Sequence, residues 1–530
     1  MSEMPALKSN FLEEIIYKDD FISFPERIRN VAKNFPELNV LTVDGETRQW
    51  KAFMPRINQV SNMLAGRGLG RGSKIAVLAK SSIEYIEIFL GGLQAGVCIV
   101  PLSGMASSEQ LKDMIRDSGS KMVFVSEDNK HYIEPFIGKI DSVPADGYVA
   151  LDFSEKAWTP YEPLVSSASE SAMSVDILPE DPFNLIYSSG TTGVPKGIEQ
   201  SHSMRNQHVV GFEALGVSSK SVTLSSTALY SNTTLVVLLP TLALGGRIVL
   251  MPKFAAEEFL KLAEAEKVTH TMLVPVQYQR ILDHKNFHKY DLSSFQIKVS
   301  TSAPLREGIK QQAIDKWPGK LIEVYGLTEG GIGTVLSVTD FPDKLASVGR
   351  VSEGVDLRII DEQGAELPQG EIGEIVGRSS AMMSGYYNRP DLTNNMLWTC
   401  SEGKTYFKSG DIGRFDEDGF LFLLDRKKDM IISGGFNIYA ADIEAELVQH
   451  SGISDVAVIG IPSESWGETP LALVVLKEGA THTEKDITDW VNNRLGKTQR
   501  VSGVEFRSIL PRSTIGKIKK KELRDEYVAK

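Results

Sequence analysis

The segment KIAVLAKSSIEYIEIFLGGLQAGVCIVPL, residues 74–102, contains two strand-like apolar runs, KIAVLAK and CIVPL, on either side of a helical stretch from Ser82 to Gln94. A third run, KMVFVSE (121–127), follows another helical stretch near 108–117. Short apolar strands separated by helices are typical of parallel βαβ units in a doubly wound sheet. The sequence therefore predicts an α/β fold.

The same alternation returns after residue 200, with helical stretches at 255–267 and 304–316. Its strand-like runs are SVTLSS, RIVLM, HTMLVP, QIKVSTS and KLIEVYG. From about residue 346 the turns DEQG, LPQG and DEDG separate short alternating strands, which indicates an antiparallel barrel or meander. We expect a large N-terminal lobe of two doubly wound βαβ subdomains plus a small β-barrel.

A compact α+β unit is predicted after the charged segment DRKKD, residues 425–429. Its strands are expected at 454–461, 470–477 and 503–508, with a helix at 484–495. We therefore divide the chain into an N-terminal domain, residues 1–427, and a small C-terminal domain, residues 428–530.

The composition excludes several classes of protein. With 530 residues the chain is too long for one ordinary domain. A formal net charge of −12 argues against a nucleic-acid-binding surface. The first residues are acidic where a signal peptide needs a basic end and an apolar run, so a cytoplasmic location is expected.

Neither a membrane span nor a cysteine-based site is predicted. The most apolar stretch begins at Leu235 but is interrupted by Pro240 and Gly245, which indicates buried core rather than a span. The two cysteines, Cys98 and Cys400, have no further cysteine or histidine at ligand spacing.

The loop YSSGTTGVPKG, residues 187–197, carries the donors of a phosphate-binding loop. Glycines let backbone N–H groups point into one concavity, while the hydroxyls and Lys196 add further donors. The pattern of nucleoside triphosphatases does not fit, because Pro195 stands in the place of the second glycine and Gly197 follows the lysine. Taken alone, the loop is equally well explained as a flexible turn.

Three further segments offer complementary chemistry. In VYGLTEGG, Tyr325 has an aromatic face, Thr328 a hydroxyl donor and Glu329 a carboxylate able to hold Mg²⁺. In YFKSGDIG, Asp411 can accept hydrogen bonds from both hydroxyls of a ribose, and in PRSTIGKIKKKELR, Lys517 lies beside a glycine ahead of a helix. Each segment by itself is also consistent with an ordinary turn or a solvated helix face.

Taken together and in this order, the segments resemble the adenylate-forming superfamily of acyl-CoA synthetases, adenylation domains and beetle luciferases. The resemblance spans about residues 25–525 and rests on YSSGTTGVPKG, YGLTE, SGD, DRKKDMIISGG and the GK near the end. It implies that a carboxylate attacks the α-phosphate of ATP and releases pyrophosphate, after which a thiol attacks the mixed anhydride and AMP leaves. Positioning and neutralisation of phosphoryl charge would carry the catalysis.

The resemblance also implies a role for each matching residue. Thr328 would contact the α-phosphate, Glu329 would bind Mg²⁺, and Lys517 would bridge the carboxylate and the α-phosphate; these are the expected catalytic residues. The phosphate loop would wrap the β- and γ-phosphates, Tyr325 would stack on adenine, and Asp411 would hold the ribose with Arg426. The residues expected around ATP are Ser188, Ser189, Gly190, Thr191, Thr192, Gly193, Lys196, Ser302, Ala303, Glu323, Tyr325, Gly326, Asp411 and Arg426.

For the C-terminal domain the resemblance implies movement. Lys428 occupies the hinge position, and Gly434 with Gly435 would present a side-chain-free edge to the pantetheine arm of coenzyme A. Rotation of this domain would let Lys517 serve the first half-reaction and the two glycines the second.

The acyl pocket is expected to exclude amino acids, because ALYSNTTLVV (228–237) contains no acidic residue to pair with a buried ammonium. By analogy of position the pocket is formed by Tyr230, Ser231, Asn232, Val276, Ser302, Ala303, Gly330, Gly331 and Ile332. We predict an AMP-forming acyl-CoA ligase, a monomer or homodimer, that uses a fatty or aromatic acid, Mg-ATP and coenzyme A.

Two alternatives remain open at this stage. One is a stand-alone adenylating enzyme that loads a carrier protein, and the other is a non-catalytic nucleotide-binding relative. The presence of Glu329, Asp411, Arg426 and Lys517 together favours an enzyme over the second alternative.

Overall fold

The computed structural model describes residues 21–188, 196–433, 436–513 and 516–528, and they form two compact units. The first unit extends to Leu345 and includes Ser352–Asp356 and Arg378–Phe407. The second contains Ala346–Val351, Leu357–Gly377 and the chain from Lys408 onward.

The first unit contains two largely parallel sheets, as predicted. Across one sheet the strands follow the order Gly385–Tyr386, Lys196–Ser201, Pro182–Ser188, Cys98–Pro101, Lys74–Leu78, Met122–Val125, Tyr148–Ala150 and Thr159–Pro160. Across the other they follow the order Gly333–Ser337, Lys320–Gly326, Ile297–Ser300, His270–Leu273, Val222–Ser225, Arg247–Leu250, Asn39–Val43 and Glu46–Gln49.

Alternating side chains of the strand Lys74–Leu78 show why its sheet is covered on both faces. Ile75 and Val77 belong to the apolar core that contains Ile86 of the following helix. Ala76 and Leu78 belong to a separate core on the opposite face. Because neighbouring residues of a strand point to opposite faces, the uninterrupted apolar run fits a sheet buried on both sides.

Capping residues set the ends of the helices around this sheet. The Ser82 hydroxyl accepts a hydrogen bond from the Tyr85 N–H, and Ser107 forms a reciprocal capping box with Gln110. The helix Ser108–Ser118 is followed by Gly119, whose φ of 66° is the left-handed conformation that favours glycine.

The helices of the first unit are Phe24–Asn34, Trp50–Gly66, Ile83–Gln94, Ser108–Ser118, Lys130–Ile133, Tyr161–Ser166, His202–Ala214, Asn232–Ala243, Ala256–Ala265, Pro275–Leu282, Glu307–Lys316 and Pro390–Asn395.

The apolar stretch from Leu235 forms the buried helix Asn232–Ala243 and the strand Arg247–Leu250. No helix within the described ranges combines the length and the apolar character needed to cross a bilayer. The prediction that this stretch is core is confirmed.

The region predicted as a small β-barrel contains the strands Val355–Ile360, Gly373–Ser379, Thr405–Phe415 and Leu421–Arg426, the last two paired antiparallel. Residues from Lys408 to the predicted boundary at 427 belong to the same compact unit as the C-terminal residues. The division of the chain at 427/428 does not coincide with the border between these units. It stays a prediction of where a hinge lies.

The C-terminal part of the second unit is an α+β sandwich. Its strands follow the order Phe436–Ile438, Ile431–Ser433, Gly467–Leu476 and Ile453–Ser463, with Gly503–Phe506 parallel to Gly467–Leu476. Val456 and Val458 share a core with the helices Ala440–Leu447 and Glu484–Asn492. The alternate residues Ala457 and Ile459 share another core with the helix Lys520–Val528.

Candidate active site

The carboxyl ends of four neighbouring parallel strands carry most of the predicted site residues of the first unit. Val222–Ser225, His270–Leu273, Ile297–Ser300 and Lys320–Gly326 lie side by side and parallel. Ligands of open α/β sheets bind outside this edge, where the strand order reverses. The loops that leave it contain the predicted residues Tyr230, Ser231, Ser302, Ala303, Thr328, Glu329, Gly330, Gly331 and Ile332. Asn232 and Val276 lie at the starts of the helices Asn232–Ala243 and Pro275–Leu282.

The phosphate loop joins two antiparallel strands. Pro182–Ser188 pairs with Lys196–Ser201, and Ser188 lies opposite Lys196 where the two strands meet the connecting residues. The Lys196 ammonium lies 5.5 Å from the centre of the Tyr386 ring. The loop residues between the strands are outside the described part of the chain, and with them the predicted ligands Ser189, Gly190, Thr191, Thr192 and Gly193.

Thr328 and Glu329 lie in a turn whose backbone carbonyls are all engaged. The Gly330 N–H donates to the Leu327 carbonyl at 3.0 Å, and the Met383 N–H donates to the Glu329 carbonyl at 2.7 Å. The Thr328 carbonyl instead accepts from the side-chain amide of Gln200, at 2.6 Å. One contact within the turn and two from other parts of the first unit, at Gln200 and Met383, therefore define it.

Tyr386, a residue not predicted from the sequence, holds the Glu329 carboxylate. The Tyr386 hydroxyl donates to Glu329 Oε1 at 2.8 Å. Burial and the neighbouring Glu329 charge raise the pKa of Tyr386, so this hydroxyl stays neutral and remains a donor. Tyr386 reaches this position because Gly385–Tyr386 pairs with the strand Lys196–Ser201. No local sequence motif predicts this long-range pairing.

Glu323 lies in the strand Lys320–Gly326, which leads into the turn with Thr328 and Glu329. Glu323 is 2% exposed, forms an ion pair with Lys310 and accepts from the Leu305 N–H at 2.7 Å. Burial raises the pKa of Glu323, and the Lys310 charge opposes that effect. Its carboxylate is engaged inside the protein, so an ATP contact by Glu323 stays a prediction.

Ser302 has a φ of 77°, which is uncommon for a residue with a side chain. Its hydroxyl lies 2.6 Å from that of Thr233, which belongs to the helix that begins at Asn232. This pair joins two segments of the predicted acyl pocket and compensates the unfavourable backbone conformation. Strained residues of this kind cluster at functional sites.

The other predicted residues of the first unit differ in their exposure to solvent. Tyr325 and Gly326 end the strand Lys320–Gly326, where Tyr325 is half-buried and Gly326 exposed. Ser231 and Ile332 are buried, at 8% and 6% exposure. Adenine stacking by Tyr325 and the lining of the acyl pocket remain predictions.

In the second unit the structure brings together the two residues predicted to hold ribose. Asp411 and Arg426 lie opposite each other on paired strands, and Arg426 Nε is 3.1 Å from Asp411 Oδ1. Lys428 is exposed, and partial desolvation of its ammonium lowers its pKa.

Lys517 follows Gly516, whose φ is 79°. Its backbone N–H donates to the Ser513 hydroxyl at 3.1 Å, and its carbonyl accepts from the Ser513 N–H at 2.7 Å. These bonds hold the lysine backbone in a turn ahead of the helix Lys520–Val528. The predicted coenzyme A residues Gly434 and Gly435 are outside the described ranges.

Comparison with known proteins places the chain among the adenylate-forming enzymes. The chain matches the AMP-binding enzyme family over residues 28–387 and the AMP-binding enzyme C-terminal domain over residues 442–517. The chain belongs to the AMP-binding enzyme family.

Its relatives include proteins named as coenzyme A ligases. The chain is 30% identical to feruloyl-CoA synthase of an Amycolatopsis species over 500 residues, 94% of this chain and 97% of the relative. It is 30% identical to the long-chain-fatty-acid–CoA ligase FadD13 of Mycobacterium tuberculosis over 479 residues, 89% and 92% of the two chains. ATP-bound MatB from Rhodopseudomonas palustris is similar in structure, with a TM-score of 0.85 at 27% identity, covering 96% of this chain and 99% of MatB.

These findings confirm the predicted superfamily and the α/β fold with a large N-terminal and a smaller C-terminal domain. They also confirm the predicted class of activity, an acid–thiol ligase of the AMP-forming type.

Proposed function

We propose that this protein converts a fatty or aromatic carboxylic acid to its coenzyme A thioester in two half-reactions. A carboxylate oxygen bonds to the α-phosphorus of ATP, and the bond from that phosphorus to pyrophosphate breaks. The thiol sulfur of coenzyme A then bonds to the acyl carbon, the acyl–oxygen bond to AMP breaks, and the thiol loses its proton. The first step makes the acid a good acyl donor because AMP replaces a poor leaving group.

One observation carries the proposal: the turn with Thr328 and Glu329 lies at the carboxyl end of the parallel strands and contacts the strand that leaves the phosphate loop. Gln200 of that strand bonds the Thr328 carbonyl, and Tyr386, paired with the same strand, bonds Glu329. In this proposal the turn binds the α-phosphate at Thr328. The hairpin binds the β- and γ-phosphates at Ser188 and Lys196. Such positioning is the main means by which proteins catalyse phosphoryl chemistry.

The residues fit a magnesium ion that is shared with the nucleotide. Mg²⁺ is usually held by one or two carboxylates together with substrate phosphates and water. Glu329 is half-buried, and its carboxylate is oriented by the neutral Tyr386 hydroxyl. Among the described residues there is no group of three or more histidine, cysteine or acidic side chains that could hold a metal alone. When bound, the ion would neutralise phosphate charge.

We assign the remaining roles by the family pattern. Asp411 with Arg426 would hold the ribose, Lys517 would serve adenylation, and Gly434 with Gly435 would border the pantetheine arm. Residues 428–530 would turn about Lys428 between the two half-reactions. A cytoplasmic location and a monomeric or homodimeric state are part of the same proposal.

The choice of a fatty or aromatic acid is supported by the relatives and by the pocket. The names of the relatives specify ferulate and long-chain fatty acids. The segment that leads into the helix Asn232–Ala243 provides hydroxyl and amide groups but no carboxylate to pair with an ammonium. An uncharged acyl chain or ring is compatible with such a lining.

The proposal is tested by ATP–pyrophosphate exchange across a panel of fatty, hydroxycinnamic, benzoic and amino acids, with acid-free reactions as the control. We expect exchange with one fatty or aromatic series and none with amino acids. Coenzyme A is then added and the thioester measured. No exchange with any acid would reject the ligase, and exchange without a thioester would indicate a carrier protein as the acceptor.

A further inference from the structure

Arg205 is a buried cation in the first turn of the helix His202–Ala214, and the roles proposed above do not use it. Its side chain is 1% exposed. Nε donates to Asn184 Oδ1 at 2.9 Å, and one terminal nitrogen donates to Gln200 Oε1 and, at 3.0 Å, to Asn232 Oδ1. The guanidinium therefore joins two strands and the first residue of the helix Asn232–Ala243.

Hydrogen-bond chemistry fixes which end of each side-chain amide faces Arg205. A guanidinium has donors only, so each amide that contacts it must present its oxygen. When Gln200 presents its oxygen to Arg205, its NH₂ group points the other way, toward the Thr328 carbonyl. The Asn184 NH₂ group donates to the same Gln200 oxygen at 2.9 Å and supports this orientation.

We propose that Arg205 is a positioning residue that acts through Gln200 to fix the turn carrying Thr328 and Glu329. The carbonyls of Leu327 and Glu329 are bonded by backbone N–H groups, whereas the Thr328 carbonyl is bonded by the Gln200 side chain. The orientation of that side chain depends on Arg205. Displacement of a reacting group by about 1 Å costs on the order of a hundredfold in rate.

The buried charge of Arg205 lowers the stability of the fold, which argues for a role beyond packing. Among the residues that the structure describes, no carboxylate forms an ion pair with it. Burial lowers the pKa of Arg205 to about 9. Its neighbours are amide oxygens, His208 Nδ1 at 3.4 Å and the Phe183 ring, whose centroid is 5.8 Å away. A buried charge without an opposite charge destabilises a fold, so an apolar residue would serve packing better.

Three variants separate positioning from packing. Gln200→Glu keeps an acceptor for Arg205 and gives it an ion pair, but an ionised carboxylate cannot donate to the Thr328 carbonyl. Arg205→Met removes the donors that orient Gln200, and Arg205→Lys restores part of them. Arg27→Met is the matched control, because Arg27 also donates to an amide oxygen, Asn206 Oδ1 at 2.8 Å, without contact to the turn.

The experiment combines hydrogen–deuterium exchange of the peptide spanning residues 323–335, thermal unfolding, and adenylation kinetics with the acid found above. We expect faster exchange of this peptide in Q200E and R205M, an intermediate rate in R205K and a wild-type rate in R27M. Q200E is expected to keep a melting temperature near that of the wild type. In Q200E and R205M, kcat for adenylation is expected to fall at least tenfold with a smaller change in KM for ATP.

The adenylation kinetics rest on the proposed function, whereas the hydrogen–deuterium exchange measurement does not. If the wild type adenylates no acid, the ligase proposal fails and deuterium uptake still decides the role of Arg205. Uptake over residues 323–335 that matches the R27M control in both Q200E and R205M would overturn it. So would a wild-type adenylation rate in Q200E.

Discussion

His202, at the start of the helix His202–Ala214, shows how one buried side chain affects the pH response. Its ring lies against Phe183 with 4.8 Å between centroids, and its Nδ1 has no hydrogen-bond partner in the described structure. Burial lowers the pKa of His202 to about 4, and the smaller effect of the Asp181 charge opposes this. Protonation of the imidazole therefore favours the unfolded chain.

We predict that His202 makes the protein acid-sensitive. Its folded pKa of about 4 lies below the unfolded value of 6.5, so the unfolded chain binds more protons between these values. Its contribution is fully present above pH 6.5 and is lost as the pH falls toward 4, by about 3 kcal/mol at most. Urea unfolding from pH 7.5 to 4.5 measures this loss.

The substitution His202→Gln is expected to lower stability at pH 7.5, because the ring contact with Phe183 is lost, and to flatten the decline in acid. His131→Gln, at an exposed histidine, is the control and should leave the decline unchanged. An equally steep decline in H202Q would contradict the assignment.

At the scale of an element, the turn after the strand Lys320–Gly326 requires glycine at its end. Gly330 has a φ of 71°, and a Cβ there would lie 1.8 Å from the Ala381 carbonyl oxygen. Neither backbone can move without breaking the bond between the Gly331 N–H and that same carbonyl, which measures 3.0 Å.

Gly330→Ala is predicted to destabilise the protein by about 3 kcal/mol or more and to abolish adenylation. Gly354→Ala is the matched control: its φ is 76°, but no atom lies within 4 Å of the added Cβ. Backbone strain alone should cost the control about 1 kcal/mol. Thermal unfolding and pyrophosphate exchange measure both effects, and equal losses in the two variants would disprove the steric argument.

At the scale of the whole molecule, the proposed division of labour makes Lys517 specific to the first half-reaction. Lys517→Ala should abolish pyrophosphate exchange, because no cation then bridges the carboxylate and the α-phosphate. Thioester formation from supplied acyl-adenylate should remain close to the wild-type rate.

Lys519→Ala is the control for this prediction, since Lys519 lies two residues away and pairs with the exposed Glu522. Both half-reactions should be unaffected in K519A. Equal losses of both half-reactions in K517A would refute the separation of roles.

Regular elements are predictable from the sequence because their signals lie within a few residues. The run KIAVLAK forms the strand Lys74–Leu78, and the stretch from Ser82 to Gln94 forms the helix Ile83–Gln94. In the second unit, the run predicted at 470–477 overlaps the strand Gly467–Leu476 except at its last residue. Apolar periodicity and capping residues act over such short distances, and a sequence reports them directly.

The supporting residues of the site could not be predicted in the same way. Tyr386 lies 57 positions from Glu329, and Gln200 lies 128 positions from Thr328. Each pair is brought together by strand pairing and sheet order, which depend on the packing of the whole unit. The motif residues Thr328 and Glu329 were identified by pattern, whereas the side chains that hold them carry no pattern of their own.

By itself, the sequence determined the α/β class, the two largely parallel sheets and the ordered set of adenylate-forming motifs. These features follow from local periodicity and from residue types that phosphate chemistry requires. The tertiary structure alone decided that Tyr386 orients Glu329, that the Glu323 carboxylate pairs with Lys310, and that a buried Arg205 orients Gln200. The physical reason is that hydrogen bonds and charge burial depend on distances in space, and those distances exist only once the sheets have formed.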